Sequence, residues 1–282
     1  MSGPRLGLEC IGVCDRGSAP IRPDDQFLVA ELARSLLVHE TSLPQADHCR
    51  IVGRSQGTLL VVATGSGAAG AGAVAGTVAV DAVTGYVLNA MPWLYALEPG
   101  KADDLVEALG DALRRSQAAV RAARGNGTPE GAGVDVTLAY VLGTRGYLLH
   151  VGESRGYLWR PPVLREITRA GADVGGAEAP SWRRLPWQPA GEANGDPRPE
   201  VYRVDLEPGD ALLLCSEGLV RHLPDPAIAD ELAVPVALGR GAEIGRRLVA
   251  RAREAGEADD VTLVLARTRA ARERRRLPRS RS

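Results

Sequence analysis

Between Val134 and Thr168 four short apolar runs follow one another with almost no chain between them: Val134–Leu142, Gly146–Val151, Gly156–Arg160 and Val163–Thr168. Gly143-Thr144-Arg145 separates the first two, and Pro161-Pro162 the last two. Connections this short join antiparallel strands, because a parallel return needs a crossover of a dozen or more residues. The stretch therefore reads as an antiparallel meander. Upstream, Leu8–Cys14, Gln26–Ala30 and Thr58–Thr64 read as further strands, the last (TLLVVAT) buried on both faces. Ala68–Leu88 is Pro-free and rich in Ala and Val, and Asp103–Arg124 places Leu105, Ala108, Leu109, Ala112 and Leu113 at helical spacing. Asp103 and Asp104 open that second helix, where the helix dipole favours acids. Strands return at Glu200–Asp205 and Ala211–Ser216 around the turn Glu207-Pro208-Gly209-Asp210, followed by a helix over Ala242–Ala255 and a strand over Val261–Arg267. Strands in runs with helices inserted in pairs predict an α+β layered domain.

The 282 residues fit one large domain, and a 45% hydrophobic content is enough for a packed core. Net charge is −1, which argues against a general nucleic-acid or membrane-surface binder. That balance is uneven: residues 267–282 hold eight Arg against one Glu, net +7, leaving −8 on the rest. Residues 269–282 are predicted to be a disordered basic tail, a candidate for contact with an acidic partner. Four scattered cysteines (Cys10, Cys14, Cys49, Cys215) are too few for a disulfide framework. Ser55–Val80 carries no charge, but its Gly and Ala content is wrong for a spanning helix. No apolar segment of signal-peptide type opens the chain, so the expectation is a cytoplasmic protein without a membrane span. His150 reads as a packed strand histidine, with no other histidine at ligand spacing. Trp182 and Trp187 fall in residues 171–199, a Pro- and Gly-rich stretch that reads as a flap or insertion. Trp93 and Tyr95 are expected to pack the helix layer.

Two patterns could carry chemistry. Gly65-Ser66-Gly67-Ala68-Ala69-Gly70 matches G-x-G-x-x-G between a strand and a helix, as a dinucleotide site requires. The second strand ending in an acid is missing, however, and the meander contradicts a doubly wound sheet. The other pattern is a set of acids at strand ends: Asp24 and Asp25, Glu153, Glu217, and Asp259 with Asp260. Gathered from distant parts of a chain, such carboxylates make an oxygen-ligand site for Mg²⁺ or Mn²⁺. Acidic turns of no special role are the plainer alternative.

Read in order, Cys14-Asp15-Arg16-Gly17 with Asp24-Asp25, Val61-Val62-Ala63-Thr64-Gly65, VGESR at 151–155, PGDALLLCSEGL at 208–219 and Asp259-Asp260-Val261-Thr262 resemble the motifs of the PPM-type (type 2C) metal-dependent Ser/Thr protein phosphatases, bacterial branch. The resemblance implies one domain over residues 6–268. Its fold would be a four-layer α-β-β-α sandwich of two antiparallel sheets flanked by helix pairs, with a two-metal site at one end. It also implies hydrolysis of phosphoserine and phosphothreonine by a water bridged between two Mn²⁺ or Mg²⁺ ions.

Carried over by position, the metal ligands are Asp24, the carbonyl of Gly65, Glu217 and Asp259, with Glu153 as a further candidate at a third metal. Several positions depart from the family pattern. Asp24 stands where the family has Glu, and Glu153 and Glu217 stand where it has Asp. Such swaps move a carboxylate by roughly 1.5 Å, which a flexible site can absorb. Thr64 replaces the Asp that bridges both metals, and Pro20 replaces the phosphate-holding Arg, with Arg22 nearby as a substitute. Without bridged metals, water stays near its bulk pKa of about 15.7 instead of about 7. The resemblance thus predicts a degenerate domain, a pseudophosphatase acting as a monomeric binding or regulatory module toward phosphorylated proteins or Ser/Thr kinases. The alternative is a weakly active Mn- or Mg-dependent phosphatase. The Gly-rich segment is then a tight strand-to-helix turn, not a nucleotide site.

Overall fold

The computed structural model describes residues 6–18, 24–37, 50–67, 70–89, 102–124, 133–168, 182–184, 199–235 and 240–270. Two antiparallel sheets form. The first runs β1 (Leu6–Asp15), β11 (Val261–Ala270), β10 (Ala211–Cys215), β6 (Arg155–Arg160), β7 (Val163–Glu166). The second runs β2 (Asp25–Leu37), β3 (Arg50–Ser66), β4 (Gly133–Leu142), β5 (Arg145–Val151), β9 (Glu200–Asp205), β8 (Trp182–Arg184). Helices α1 (Ala71–Asn89) and α2 (Ala102–Arg124) belong to the second sheet's side, and α3 (Glu217–Val220), α4 (Asp225–Ala233) and α5 (Gly241–Glu254) to the first's.

Three apolar layers explain the stacking. Leu60, Val62, Ala139, Leu148, Tyr202, Leu212, Leu214 and Val264 fill the space between the sheets. The opposite faces of the same strands present Leu59, Val61 and Leu138 to α1 and α2, and Leu213, Leu263 and Leu265 to α4 and α5. Central strands are thus buried on both faces, as the continuous apolar run of β3 predicts. On α1 the residues Ala71, Ala75, Ala79, Val83 and Val87 recur every fourth position and are buried. Small side chains at the helix start let α1 lie close to β2 and β3. The helix is long and apolar enough to cross a membrane by length and composition, but one face of it lies within the core formed with the second sheet.

The predicted meander is two hairpins in different sheets. β4 pairs with β5, and β6 with β7, but the chain passes from the second sheet to the first between Val151 and Arg155. β5 then takes β9 as its other neighbour, and β6 takes β10. Three residues suffice for the step, because packed sheets lie about 10 Å apart and an extended residue spans about 3.3 Å. Periodicity could not reveal it, since β5 and β6 are both buried on both faces and carry no alternation.

Other boundaries shift as well. β2 and β3 extend beyond the predicted runs, with register irregularities near Ala33. The short helices α3 and α4 had no strong sequence signal. β11 continues to Ala270, paired with Leu6, so residues 269 and 270 of the predicted tail are strand. Residues 271–282 lie outside the described residues, as do Trp93, Tyr95, Trp187 and, apart from β8 and Pro199, the 171–199 stretch.

His150 is a packed histidine. It sits opposite Thr137, whose Oγ1 is 2.8 Å from Nδ1 and 2.6 Å from Ser154 Oγ. Burial lowers its pKa from 6.5 to about 4, with Glu200 opposing the shift. The folded state holds the neutral ring while the unfolded chain protonates near 6.5. Stability is therefore complete above that pH and falls as pH drops toward 4. Chemical denaturation at pH 7 and pH 5 is expected to show roughly 2 kcal/mol of acid sensitivity that His150→Gln removes. An unchanged difference in the variant would contradict the assignment.

Candidate functional site

The strand ends fix where chemistry can gather. β1 ends at Asp15, β3 at Ser66, β5 at Val151 and β10 at Cys215, while β2 begins at Asp25, β4 at Gly133 and β11 at Val261. Antiparallel pairing puts all of these at one end of the sandwich. In the second sheet Asp25 pairs with Thr64, and Thr64 with Asp135. By the two-residue period they share the inner face with Val29, Val62 and Ala139. A neutral hydroxyl thus stands between two acids on adjacent strands.

Asp25 is only 2% exposed, and burial raises its pKa to about 6, against the lowering effect of the hydroxyls of Ser216, Thr64 and Thr262. Its Oδ2, Thr64 Oγ1 and Thr262 Oγ1 nonetheless complete no well-formed hydrogen bond. These oxygens come from both sheets, so the inner end of the sandwich is lined with polar groups that the fold leaves partly unsatisfied.

Asp24 lies just before β2, beside the start of α1. Burial, then the charge of Asp260, raises its pKa, and the Ala73 N–H opposes them. A Cβ on Gly72 would sit 2.6 Å from Asp24 Cγ, and one on Gly65 would sit 1.9 Å from the Gly72 carbonyl oxygen. Gly65 also donates its N–H to the Asp24 carbonyl at 3.0 Å. The Gly-rich segment therefore serves close backbone approach of α1 to β2 and β3, and Gly67 and Gly70 take positive φ (135° and 81°) in the turn between.

Glu217 opens α3, and Asp259 lies in the turn before β11. Both are bound by one cation. Arg221 Nη2 lies 3.3 Å from Glu217 Oε2, and its Nη1 contacts Asp259 Oδ2 and, at 3.2 Å, Glu257 Oε1. Arg253 grips the same turn from α5, donating to the carbonyls of Glu257 and Asp259 while bonding Asp15 Oδ1 at 2.7 and 2.9 Å. Asp260 accepts from the Gly17 N–H at 2.8 Å and from those of Asp24 and Asp25 at 2.6 and 3.4 Å. The turn before β11 is thus fastened to the chain on both sides of the 19–23 segment.

Glu153 is exposed at the crossover between the sheets and ion-paired to Arg155 at 3.3 Å. Its N–H donates to Asp135 Oδ2 at 3.1 Å, and Asp135 has a pKa raised first by burial, with Glu153 and Glu217 adding to the shift. Among the described residues, no three His, Cys, Asp or Glu side chains are grouped closely enough to hold a metal ion. Pro20 and Arg22 lie outside the described residues. Sequence reading had not singled out Asp135, Arg221, Arg253 or Glu257. An acid within the apolar run 134–142, directly after Val134, was a usable signal for the first. The others depend on tertiary contacts.

Two packed antiparallel sheets faced by helices, with acids from both sheets at one end, are the architecture of the PPM-type Ser/Thr phosphatases. The chain belongs to the protein phosphatase 2C family, which it matches over residues 39–255. It is 32% identical over 219 residues to the Ser/Thr protein phosphatase PstP of Mycobacterium tuberculosis, covering 74% of this chain and 40% of that one. The chain thus spans about two fifths of the length of that relative. The structure is similar to that of the PstP catalytic domain in complex with two manganese ions, with a TM-score of 0.63, 24% identity and coverage of 94% of this chain and 99% of that one. A Ser/Thr phosphatase from S. agalactiae aligns with a TM-score of 0.65 at 19% identity, over 93% and 99% of the two chains.

Three N–H donors converge on Asp260, so Asp260→Ala leaves them without their acceptor. A loss of about 2–3 kcal/mol is expected in urea denaturation. A loss below about 0.5 kcal/mol would mean the fastening is not made in solution.

Proposed function

We propose that this chain is a degenerate phosphatase domain, a pseudophosphatase that serves as a binding or regulatory module in phospho-signalling. The observation that carries the reading is Thr64 between Asp25 and Asp135 in register. At the family's bridging position a neutral hydroxyl cannot share one negative charge between two cations. The present residues do not fit a two-metal centre. Glu217 and Asp259 are already paired with Arg221, and Asp260 is committed to backbone N–H groups. Divalent metal binding is accordingly weakened, and without it no water is activated at neutral pH. The partners that suit this reading are phosphorylated proteins or Ser/Thr kinases, met as a cytoplasmic monomer.

A second reading keeps weak Mn- or Mg-dependent activity. It is favoured by Asp135, an acid one strand away from Thr64 on the same inner face. The two readings separate in one assay: hydrolysis of a phosphothreonine peptide in Mn²⁺, with Glu217→Ala as the contamination control. No turnover is expected from the wild type. Turnover that requires Mn²⁺ and disappears in Glu217→Ala would overturn the pseudophosphatase reading. Recovery of activity in a Thr64→Asp, Pro20→Arg variant that also carries Arg221→Gln is the further result expected of an intact fold with lost chemistry.

A further inference from the structure

We propose that the Arg221 guanidinium is a built-in cation that bridges Glu217, Glu257 and Asp259 in place of a divalent metal ion. The inference deepens the pseudophosphatase reading and rests on it.

Geometry is the first argument. The two nitrogens Nη1 and Nη2 reach one oxygen on each of three carboxylates, at 3.3 Å for Glu217, 3.2 Å for Glu257 and in direct contact for Asp259. Glu217 and Asp259 are the two acids that a metal carried over from the family would use together. An ion bound to both must lie about 2.0–2.6 Å from an oxygen of each. An ion seated on the same oxygens, Glu217 Oε2 and Asp259 Oδ2, would have to displace the guanidinium that touches them.

Burial is the second. The Glu257 side chain is 1% exposed, and a buried carboxylate is stable only when paired and hydrogen-bonded. Arg221 supplies the charge. The Asp259 N–H adds a bond to Oε1 at 2.8 Å, and His222 Nε2 stands 3.8 Å from Oε2. Removing Arg221 leaves Glu257 buried without its cation, whereas removing an exposed ion-pair partner would change little.

Placement is the third. Arg221 follows Glu217 by one helical turn, and its N–H bonds the Glu217 carbonyl at 2.9 Å. The same short helix therefore sets both the acid and its cation. A guanidinium keeps its charge at any pH the fold tolerates. Thr64 and Arg221 act in the same sense. One withholds a negative charge from the centre and the other supplies a positive one, so less charge is left for metal ions to neutralise.

The test is Mn²⁺ binding by electron paramagnetic resonance, with thermal melting in EDTA and in millimolar Mn²⁺. Wild type, Arg221→Gln and Arg221→Lys are compared. The wild type is expected to melt at the same temperature in both solutions and to bind no Mn²⁺. Arg221→Gln is expected to melt lower in EDTA, to regain stability in Mn²⁺ and to bind the ion at concentrations where the wild type binds none. Arg221→Lys, which keeps the charge, is expected to remain closer to wild type in EDTA. Wild type binding Mn²⁺ as tightly as Arg221→Gln would overturn the proposal, as would Arg221→Gln with unchanged stability and no gain in binding. Should Arg221→Gln fail to fold, the wild-type titration and the Lys variant still decide. Hydrolysis in the peptide assay counts against the pseudophosphatase reading, whereas Mn²⁺ bound to the wild type without hydrolysis counts against this inference alone.

Discussion

Like charges crowd at one end of the sandwich, and two guanidinium groups hold them there. Asp15 ends β1, Glu217 opens α3, and Glu257, Asp259 and Asp260 lie in the turn before β11. These carboxylates repel one another, and Glu257 is buried besides. Arg221 and Arg253 hold the turn between α5 and β11 by donating to its carboxylates and carbonyls. Asp260, freed from that role, accepts three N–H groups around the 19–23 segment and ties the entry of β2 to the start of β11. That fastening holds the start of β2, where Asp25 stands in register with Thr64 and Thr64 with Asp135.

This balance bears directly on function. A phosphatase centre of the two-metal kind needs acids left free to face a pair of divalent ions. Here some acids face arginine, others face backbone N–H groups, and the central position is a hydroxyl. The scaffold shared with PstP and its relatives is intact, while Glu217, Glu257, Asp259 and Asp260 at its end find partners within the chain. A domain that no longer depends on metal can keep the recognition surface of its family and lose the turnover, which is the reading proposed for this chain.

Much of the fold was legible in the residues. Short apolar runs with tight turns predicted antiparallel strands, and the spacing of Leu105, Leu109 and Leu113 predicted α2. The crossover between β5 and β6 was not legible, because strands buried on both faces give no alternation to say which sheet they join. At the site, the substitution at Thr64 was readable from the strand and turn around it. Arg221 was not, since in a chain so rich in arginine one more carries no signal until its three partners are brought to it from positions up to 38 residues away. Asp135 lay between the two cases: an acid in an apolar strand stands out, but only register places it next to Thr64.

Anomalous diffraction from crystals grown in Mn²⁺ would show directly whether metal or arginine occupies this end of the sandwich. No manganese peak is expected between Glu217 and Asp259, with the Arg221 guanidinium still bridging them. Two peaks about 4 Å apart at this end of the sandwich, with Arg221 turned away, would contradict it.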